Sequence, residues 1–264
     1  MSFTQSVLLG IMQGISEFIP ISSSGHLVLL RGLMGIGEIP LLYDIVLHIA
    51  TLIVVIVFFR ERIGRMLSAI LRWILRHSRS EDEQDLKLSL LVIIGTVATV
   101  AIALVIRPLE LHNNPRIVAG AFLVTAALLI ASRYARGTTE YDRIGSRHAL
   151  ITGIVQGIAV IPGISRSGST ITAAMYSGLS REKAAEFSFL LSIPAILGAL
   201  VLELRDLSDL GATIGAGTVA AGFLASLVFG FLSLSLLVRL IRGGKLWVFS
   251  VYLVPLGLWM LFFF

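Results

Sequence analysis

Gly10-Ile-Met-Gln13-Gly-Ile-Ser-Glu17-Phe-Ile-Pro20-Ile-Ser22-Ser23-Ser24-Gly25-His26 is the stretch on which the reading of this chain turns, because it recurs. Gly153-Ile-Val-Gln-Gly-Ile158 repeats its opening at an offset of 143 residues, and Ser165-Arg166-Ser167-Gly168 meets Ser22-Ser-Ser-Gly25 at the same offset. Pro20 and Pro162 fall one place out of step. Each copy sits in an apolar segment (2–35 and 147–178) that Pro, Gly and Ser interrupt in the middle. Neither half of such a segment crosses comfortably a bilayer core that needs about 20 apolar residues in a helix.

Outward from the two copies lie six uninterrupted apolar runs, three after each. They are Leu41–Phe59, Leu86–Ile106, Ile117–Ser132, Ala184–Leu204, Ile214–Val238 and Leu246–Phe264. The chain of 264 residues is 56% hydrophobic and 14% charged, against roughly 25% charged for a soluble domain. That balance excludes disorder and a cytosolic enzyme, and the absence of cysteine excludes a disulfide scaffold. The expectation is an all-α integral membrane protein with six transmembrane helices and two re-entrant broken-helix hairpins. No cleavable leader is expected, since Gln13 and Glu17 interrupt the first apolar stretch and no charged region precedes it.

Three spans are an odd number, so the second hairpin enters from the face opposite the first. Residues 1–142 and 143–264 then form the two halves of an inverted-topology repeat within one membrane domain, with broken helices meeting near the midplane. Of 21 basic residues, sixteen fall in the loops at 60–87, 133–147, 181–183 and 239–245. Arg31, Arg107, Arg116 and Arg205 fall on the other side, and Arg166 lies within the second hairpin. By the positive-inside rule, both termini and the first hairpin face outward. The net charge of +5 is then topological, and no nucleic-acid partner is expected. The stretch from Arg60 to Arg79, with Trp73 and spaced Leu and Ile, reads either as an amphipathic helix on the membrane surface or as a solvated loop.

Ionisable residues inside a membrane segment cost about 2.5–3.5 kcal/mol on insertion scales and mark function by default. Glu17 and His26 qualify. Gln13 and Glu17, four apart, share one helix face; Pro20 ends that helix, and Ser22 or Ser23 is a natural N-cap for the next. The second copy has Val160 and Ser169 where the first has Glu17 and His26, and it adds Arg166. An arginine fork beside helix-start N–H groups suits an anion, phosphate above all. Two structural alternatives stand beside these readings: a Glu17–His26 pair holding two half-helices together, and an Arg166 that neutralises Glu17 across the repeat. A carboxylate, an imidazole, hydroxyls and a guanidinium at one depth suit phosphoryl transfer, with a lipid phosphate or diphosphate as the substrate that reaches such a site.

At these residues the chain resembles the undecaprenyl-pyrophosphate phosphatases, the bacitracin-resistance family. The resemblance rests on Gln13-x-x-x-Glu17, Phe18-x-Pro20-x-Ser-Ser-x-Gly-His26, Pro162-Gly-x-Ser-Arg166-Ser-Gly-Ser and Tyr43-Asp44-x-x-Leu-His48. It implies hydrolysis of undecaprenyl diphosphate to undecaprenyl phosphate and inorganic phosphate in the bacterial plasma membrane. That recycles the lipid carrier for peptidoglycan synthesis and opposes bacitracin, which competes for the same lipid. It also implies Ser23 as nucleophile, Glu17 and His26 as catalytic groups, and Arg166 as phosphate ligand with Ser165, Ser167, Gly168, Ser22 and Ser24 around it. A divalent cation, Mg²⁺ or Ca²⁺, is implied, with Glu17 and Gln13 as its ligands. Gln13 stands where some relatives carry an acid, and Gly95-Thr-Val-Ala98 replaces a Pro-containing motif. Asp44 and His48, one turn apart, either reach the site or bond to each other.

The residues leave several points open: whether Glu17 or His26 is the base, whether Ser23 or His26 is the nucleophile, and whether the chain forms a homodimer. Another class is an inverted-repeat transporter or flippase of a lipid phosphate, which Ser23→Ala would spare. A type 2 phosphatidic-acid phosphatase requires Lys-x6-Arg-Pro and a second His after Ser-Arg, and neither pattern occurs.

Overall fold

A computed structural model describes residues 1–36, 41–109, 111, 114–205 and 214–263, without the side chains of 41 and 203–205. The Arg205 side chain and Phe264, expected to end the sixth span, lie outside the described residues. Among those residues every regular element is a helix, apart from one isolated bridge between Thr139 and Leu179. The helices are α1 (Phe3–Phe18), α2 (Ser23–Leu33), α3 (Leu41–Phe58), α4 (Arg60–Ile74), α5 (Glu83–Ile106), α6 (Pro115–Ala131), α7 (Ser146–Ile158), α8 (Arg166–Tyr176), α9 (Arg181–Arg205), α10 (Ala216–Arg242) and α11 (Ser250–Phe263).

Among the described residues, five helical stretches are long and apolar enough to cross a membrane: Ser80–Leu109, Pro115–Tyr134, Arg181–Leu202, Ala216–Arg242 and Leu246–Phe263. The sixth expected span, α3, meets α4 at a bend of 79°. Their outward side chains, among them Ile93, Val97, Leu104 and Val105, are apolar and exposed. A helix satisfies every backbone N–H and C=O internally, which hydrocarbon demands, so the chain is an all-α multi-pass membrane protein.

Both expected breaks are present. Helix α1 stops at Phe18 and α2 starts at Ser23, because Pro20 lacks the N–H that would continue the ladder. Ser22 occupies the N-cap position of α2, with φ of 72° and no side-chain capping bond. That left-handed conformation is costly for a residue with a Cβ. The second break turns on Gly163, φ 96°, where glycine is tolerated freely. Helix α8 then starts conventionally, the Ser165 hydroxyl accepting from the Gly168 N–H at 3.2 Å.

Matched glycines make matched contacts. A Cβ on Gly10 would run into the Gly222 carbonyl of α10, and one on Gly14 would crowd Ser226 and Gly230. A Cβ on Gly153 would run into the Gly95 backbone of α5, and one on Gly157 would crowd Thr99 and Ile102. Thus α1 lies closely on α10 and α7 on α5, each broken segment against a helix that is distant in sequence. The Thr99 hydroxyl sits at 2.8 Å from the Gly95 carbonyl and 3.0 Å from that of Gly153.

The two breaks touch each other. The Gly163 N–H donates to the Ser22 hydroxyl at 3.1 Å, and the Ser167 hydroxyl donates to the Phe18 carbonyl at 3.0 Å. Thr125 on α6 braces the second break, donating to the Gly163 carbonyl at 2.9 Å and accepting from the Ser165 N–H at 3.0 Å. Breaks in a helix free polar backbone groups, and here side chains from across the fold take them up.

Candidate active site

Glu17 is at the centre. It lies in the last turn of α1 and is 7% exposed. One oxygen, Oε2, accepts from Ser23 Oγ at 2.8 Å and from Gln13 Nε2 at 3.1 Å. The other, Oε1, is ion-paired with Arg166 Nη2 at the start of α8. Gln13 is one turn back on the same helix face, Ser23 opens α2, and Arg166 arrives from the second segment. Three residues named from sequence therefore converge on the carboxylate of a fourth, and the pairing of Arg166 with Glu17 is one of the two employments its position suggested.

Two atoms at this junction are buried without a hydrogen-bond partner among the described residues: Arg166 Nη1 and Gln13 Oε1. A buried guanidinium nitrogen and a buried amide oxygen are costly when unpaired. One is a cationic donor and the other a neutral acceptor, so the corner offers a place for an anion beside a place for a cation or a donor.

The hydroxyls divide by what they touch. Ser23 is half-buried and bonded to the carboxylate. Ser24 is exposed, 3.4 Å from the Ser22 hydroxyl. Ser22 and Ser167 join the two breaks, and Ser165 caps α8, 3.3 Å from Ser167. Gly168 has no room for a side chain, since a Cβ would stand 2.9 Å from that of Pro20.

His26 is close in sequence yet engaged elsewhere. Its Nδ1 lies 2.8 Å from the Ser22 carbonyl and its Nε2 2.9 Å from the Tyr252 hydroxyl on α11. A carbonyl only accepts, so Nδ1 carries the proton, and in the neutral ring Nε2 accepts from the phenol. Tyr252 stacks on the imidazole and Phe122 meets it edge-on, with ring centroids at 5.6 and 5.2 Å. His26 makes no hydrogen bond to Glu17 or Ser23.

Asp44 and His48 find partners other than each other's side chains. Asp44 is ion-paired with Arg31 of α2, and His48 Nδ1 donates to the Asp44 backbone carbonyl at 2.9 Å. Sequence reading passed over Tyr252, Phe122 and Thr125. A hydroxyl inside an apolar run was the only signal for Thr125, and nothing local marked the two rings. Among the described residues no three His, Cys, Asp or Glu side chains cluster as a metal site.

Comparison with known proteins places this geometry in a family context. Residues 6–259 match the family described as Bacitracin resistance protein BacA. A protein named undecaprenyl-diphosphatase from Treponema denticola is 44% identical over 258 residues, covering 98% of this chain and 96% of the relative. One of the same name from Methanosphaera stadtmanae is 40% identical, covering 96% and 95%, and one from Korarchaeum cryptofilum is 39% identical, covering 98% of each.

Proposed function

The chain belongs to the bacitracin resistance protein BacA family, and from that premise we propose the chemistry its residues perform. It is an undecaprenyl-diphosphatase, a hydrolase of a phosphoric anhydride that returns the lipid carrier to peptidoglycan synthesis. The observation that carries the proposed mechanism is the Ser23–Glu17–Arg166 contact, a hydroxyl, a base and a guanidinium in one hydrogen-bonded set.

The terminal phosphate of the lipid diphosphate docks first on Arg166 Nη1, the unpaired nitrogen. As phosphate oxygens draw the guanidinium away, Glu17 loses its ion pair and becomes a stronger base for the hydroxyl on its other oxygen. Ser23 Oγ attacks the terminal phosphorus, its proton passes to Glu17, and the bond to the bridging oxygen breaks. Undecaprenyl phosphate leaves with that proton on its freed oxygen, and Glu17 is again a carboxylate. Water, deprotonated by Glu17, then attacks the phosphoserine phosphorus; the bond to Ser23 Oγ breaks, Glu17 returns the proton to that oxygen, and inorganic phosphate is released. Activation of a serine by an adjacent base and neutralisation of phosphoryl charge by a fixed cation are the terms at work. His26, with both nitrogens occupied, holds the Ser22 carbonyl and so the turn that presents Ser23.

A divalent cation, Mg²⁺ or Ca²⁺, fits the same corner. Gln13 Oε1 is an orphaned hard oxygen beside Glu17, and such ions are commonly held by one or two protein oxygens plus substrate phosphates and water. When bound, it neutralises charge on the diphosphate. Arg166 is the first residue of α8, so the N–H groups of that helix start and Ser165, its N-cap, are beside the guanidinium in the chain. The two halves are inverted repeats in the bacterial plasma membrane, the first hairpin and both termini facing outward, and bacitracin competes for the same lipid.

The test is phosphate release from a C55 prenyl diphosphate by detergent-purified protein, with Mg²⁺, Ca²⁺ or EDTA. Wild type releases phosphate in a metal-dependent manner, and Ser23→Ala and Arg166→Ala do not. Release by Ser23→Ala overturns the serine nucleophile. No release by folded wild type, together with flipping of the lipid in vesicles, overturns the hydrolase in favour of a carrier.

A further inference from the structure

Helix α4 divides its circumference into three sectors. Ile63, Met66 and Ala69 face the protein, Ala69 with no exposure at all. Glu61, Arg65, Ser68 and Arg72 form a polar sector. Leu67, Leu71 and Ile74, spaced one turn apart, form a third that is apolar yet 61, 58 and 61% exposed.

The helix is not loosely attached, so this exposure is not slack. Arg62 donates to Glu186 at 2.6 Å and to Asp85 at 3.0 Å. Its guanidinium also lies 5.1 Å from the centre of the Tyr141 ring, whose phenol is raised by burial well above the usual tyrosine range and stays neutral. Further along, Arg72 Nε donates to Asp82 at 2.8 Å. Rolling the leucines inward would break these charged contacts. Helix α4 leaves the apolar α3 at 79°, the direction of a helix lying along a bilayer face. Residues 60–79 carry six arginines against one glutamate, and Arg60 and Arg76 have no carboxylate partner among the described residues.

We propose that α4 is an interfacial lipid-binding helix, with Leu67, Leu71 and Ile74 among the acyl chains and Arg60, Arg65 and Arg76 among the phosphates of an anionic leaflet. Apolar area and basic charge on adjacent sectors of one helix are the two terms of interfacial binding, and each arginine near an anionic surface adds to it within a Debye length. Arg65 is 53% exposed and only 3.7 Å from Asp85, and a soluble apolar partner would match the leucines but not Arg60 and Arg76, which have no carboxylate partner among the described residues.

The chain has no cysteine, so single cysteines report cleanly. Full-length Leu71→Cys and Ser68→Cys, each carrying an environment-sensitive fluorophore, are placed in nanodiscs of phosphatidylcholine with or without phosphatidylglycerol. The expected result is a blue-shifted probe at 71, quenched by lipids brominated near the head group, and an iodide-accessible probe at 68. Phosphatidylglycerol raises the melting temperature at low salt, and high salt or Arg60→Gln/Arg65→Gln/Arg76→Gln removes that increase. Equal iodide access at both positions overturns the proposal. So does protection of 71 that lipid bromine does not sense and that grows with protein concentration, which assigns the face to a second copy of the chain. Indifference of the melting temperature to phosphatidylglycerol overturns the anionic part.

Discussion

Arg166 opens the helix after the second break and is ion-paired with Glu17, which closes the helix before the first, 149 residues earlier. One guanidinium nitrogen is used and the other is left unpaired. The ion pair both holds the two segments together and keeps a cationic donor in reserve.

Substitution at Arg166 separates those roles. Arg166→Lys keeps a charge for Glu17 but offers no second planar nitrogen. Phosphate release from the C55 diphosphate drops at least tenfold, while thermal unfolding stays close to wild type. Arg166→Ala leaves Glu17 buried and unpaired and destabilises by about 3–5 kcal/mol, read as a lower melting temperature in the same detergent.

Glu17→Gln preserves shape but removes the base from Ser23. Loss of a positioned general base costs roughly 10²–10⁴-fold, measured as initial rates of phosphate release. Ser24→Ala, one residue beyond the proposed nucleophile and exposed, stays within a few-fold of wild type.

Ser22 is held at a positive φ while its hydroxyl accepts from Gly163. Ser22→Ala keeps the strain and loses the bond, a destabilisation of about 1–3 kcal/mol. Ser22→Gly loses the same bond but relieves the backbone, so its melting temperature lies above that of Ser22→Ala.

Tyr252→Phe removes one hydroxyl from His26 Nε2 and leaves the stacked ring. Stability falls by about 0.5–1.5 kcal/mol, and turnover stays within a few-fold of wild type because Glu17 serves as base. His26→Ala frees the Ser22 carbonyl and lowers turnover much more. A large loss of turnover in Tyr252→Phe, with normal melting, would transfer the proton-accepting role to His26.

Gly10→Ala and Gly153→Ala each push a Cβ into the backbone of a crossing helix, where no side chain is available to move aside. Overpacking of this kind costs typically 1–3 kcal/mol. Gly120→Ala in α6 is the control: no atom lies within 4 Å of its added Cβ, so helix propensity makes it neutral or slightly stabilising. Thermal unfolding of the three variants side by side checks the pattern.

The sequence alone determined what local chemistry dictates. Unbroken apolar runs of about 20 residues marked the spans, because a helix of that length crosses the bilayer core with its backbone bonded internally; Pro20, Pro162 and the serines marked the breaks, because proline ends a hydrogen-bond ladder. The spacing of Gln13 and Glu17 put them on one helix face. Tertiary structure decided which partner each polar group found. Arg166 reached Glu17, Tyr252 capped His26 from 226 residues away, Thr125 braced Gly163, and Asp44 turned to Arg31 rather than to His48. A polar side chain inside an apolar bundle must bond to whatever donor or acceptor the packing brings within about 3 Å. That proximity is set by glycine-lined helix crossings such as α1 on α10 and α7 on α5, long-range contacts that no local spacing encodes.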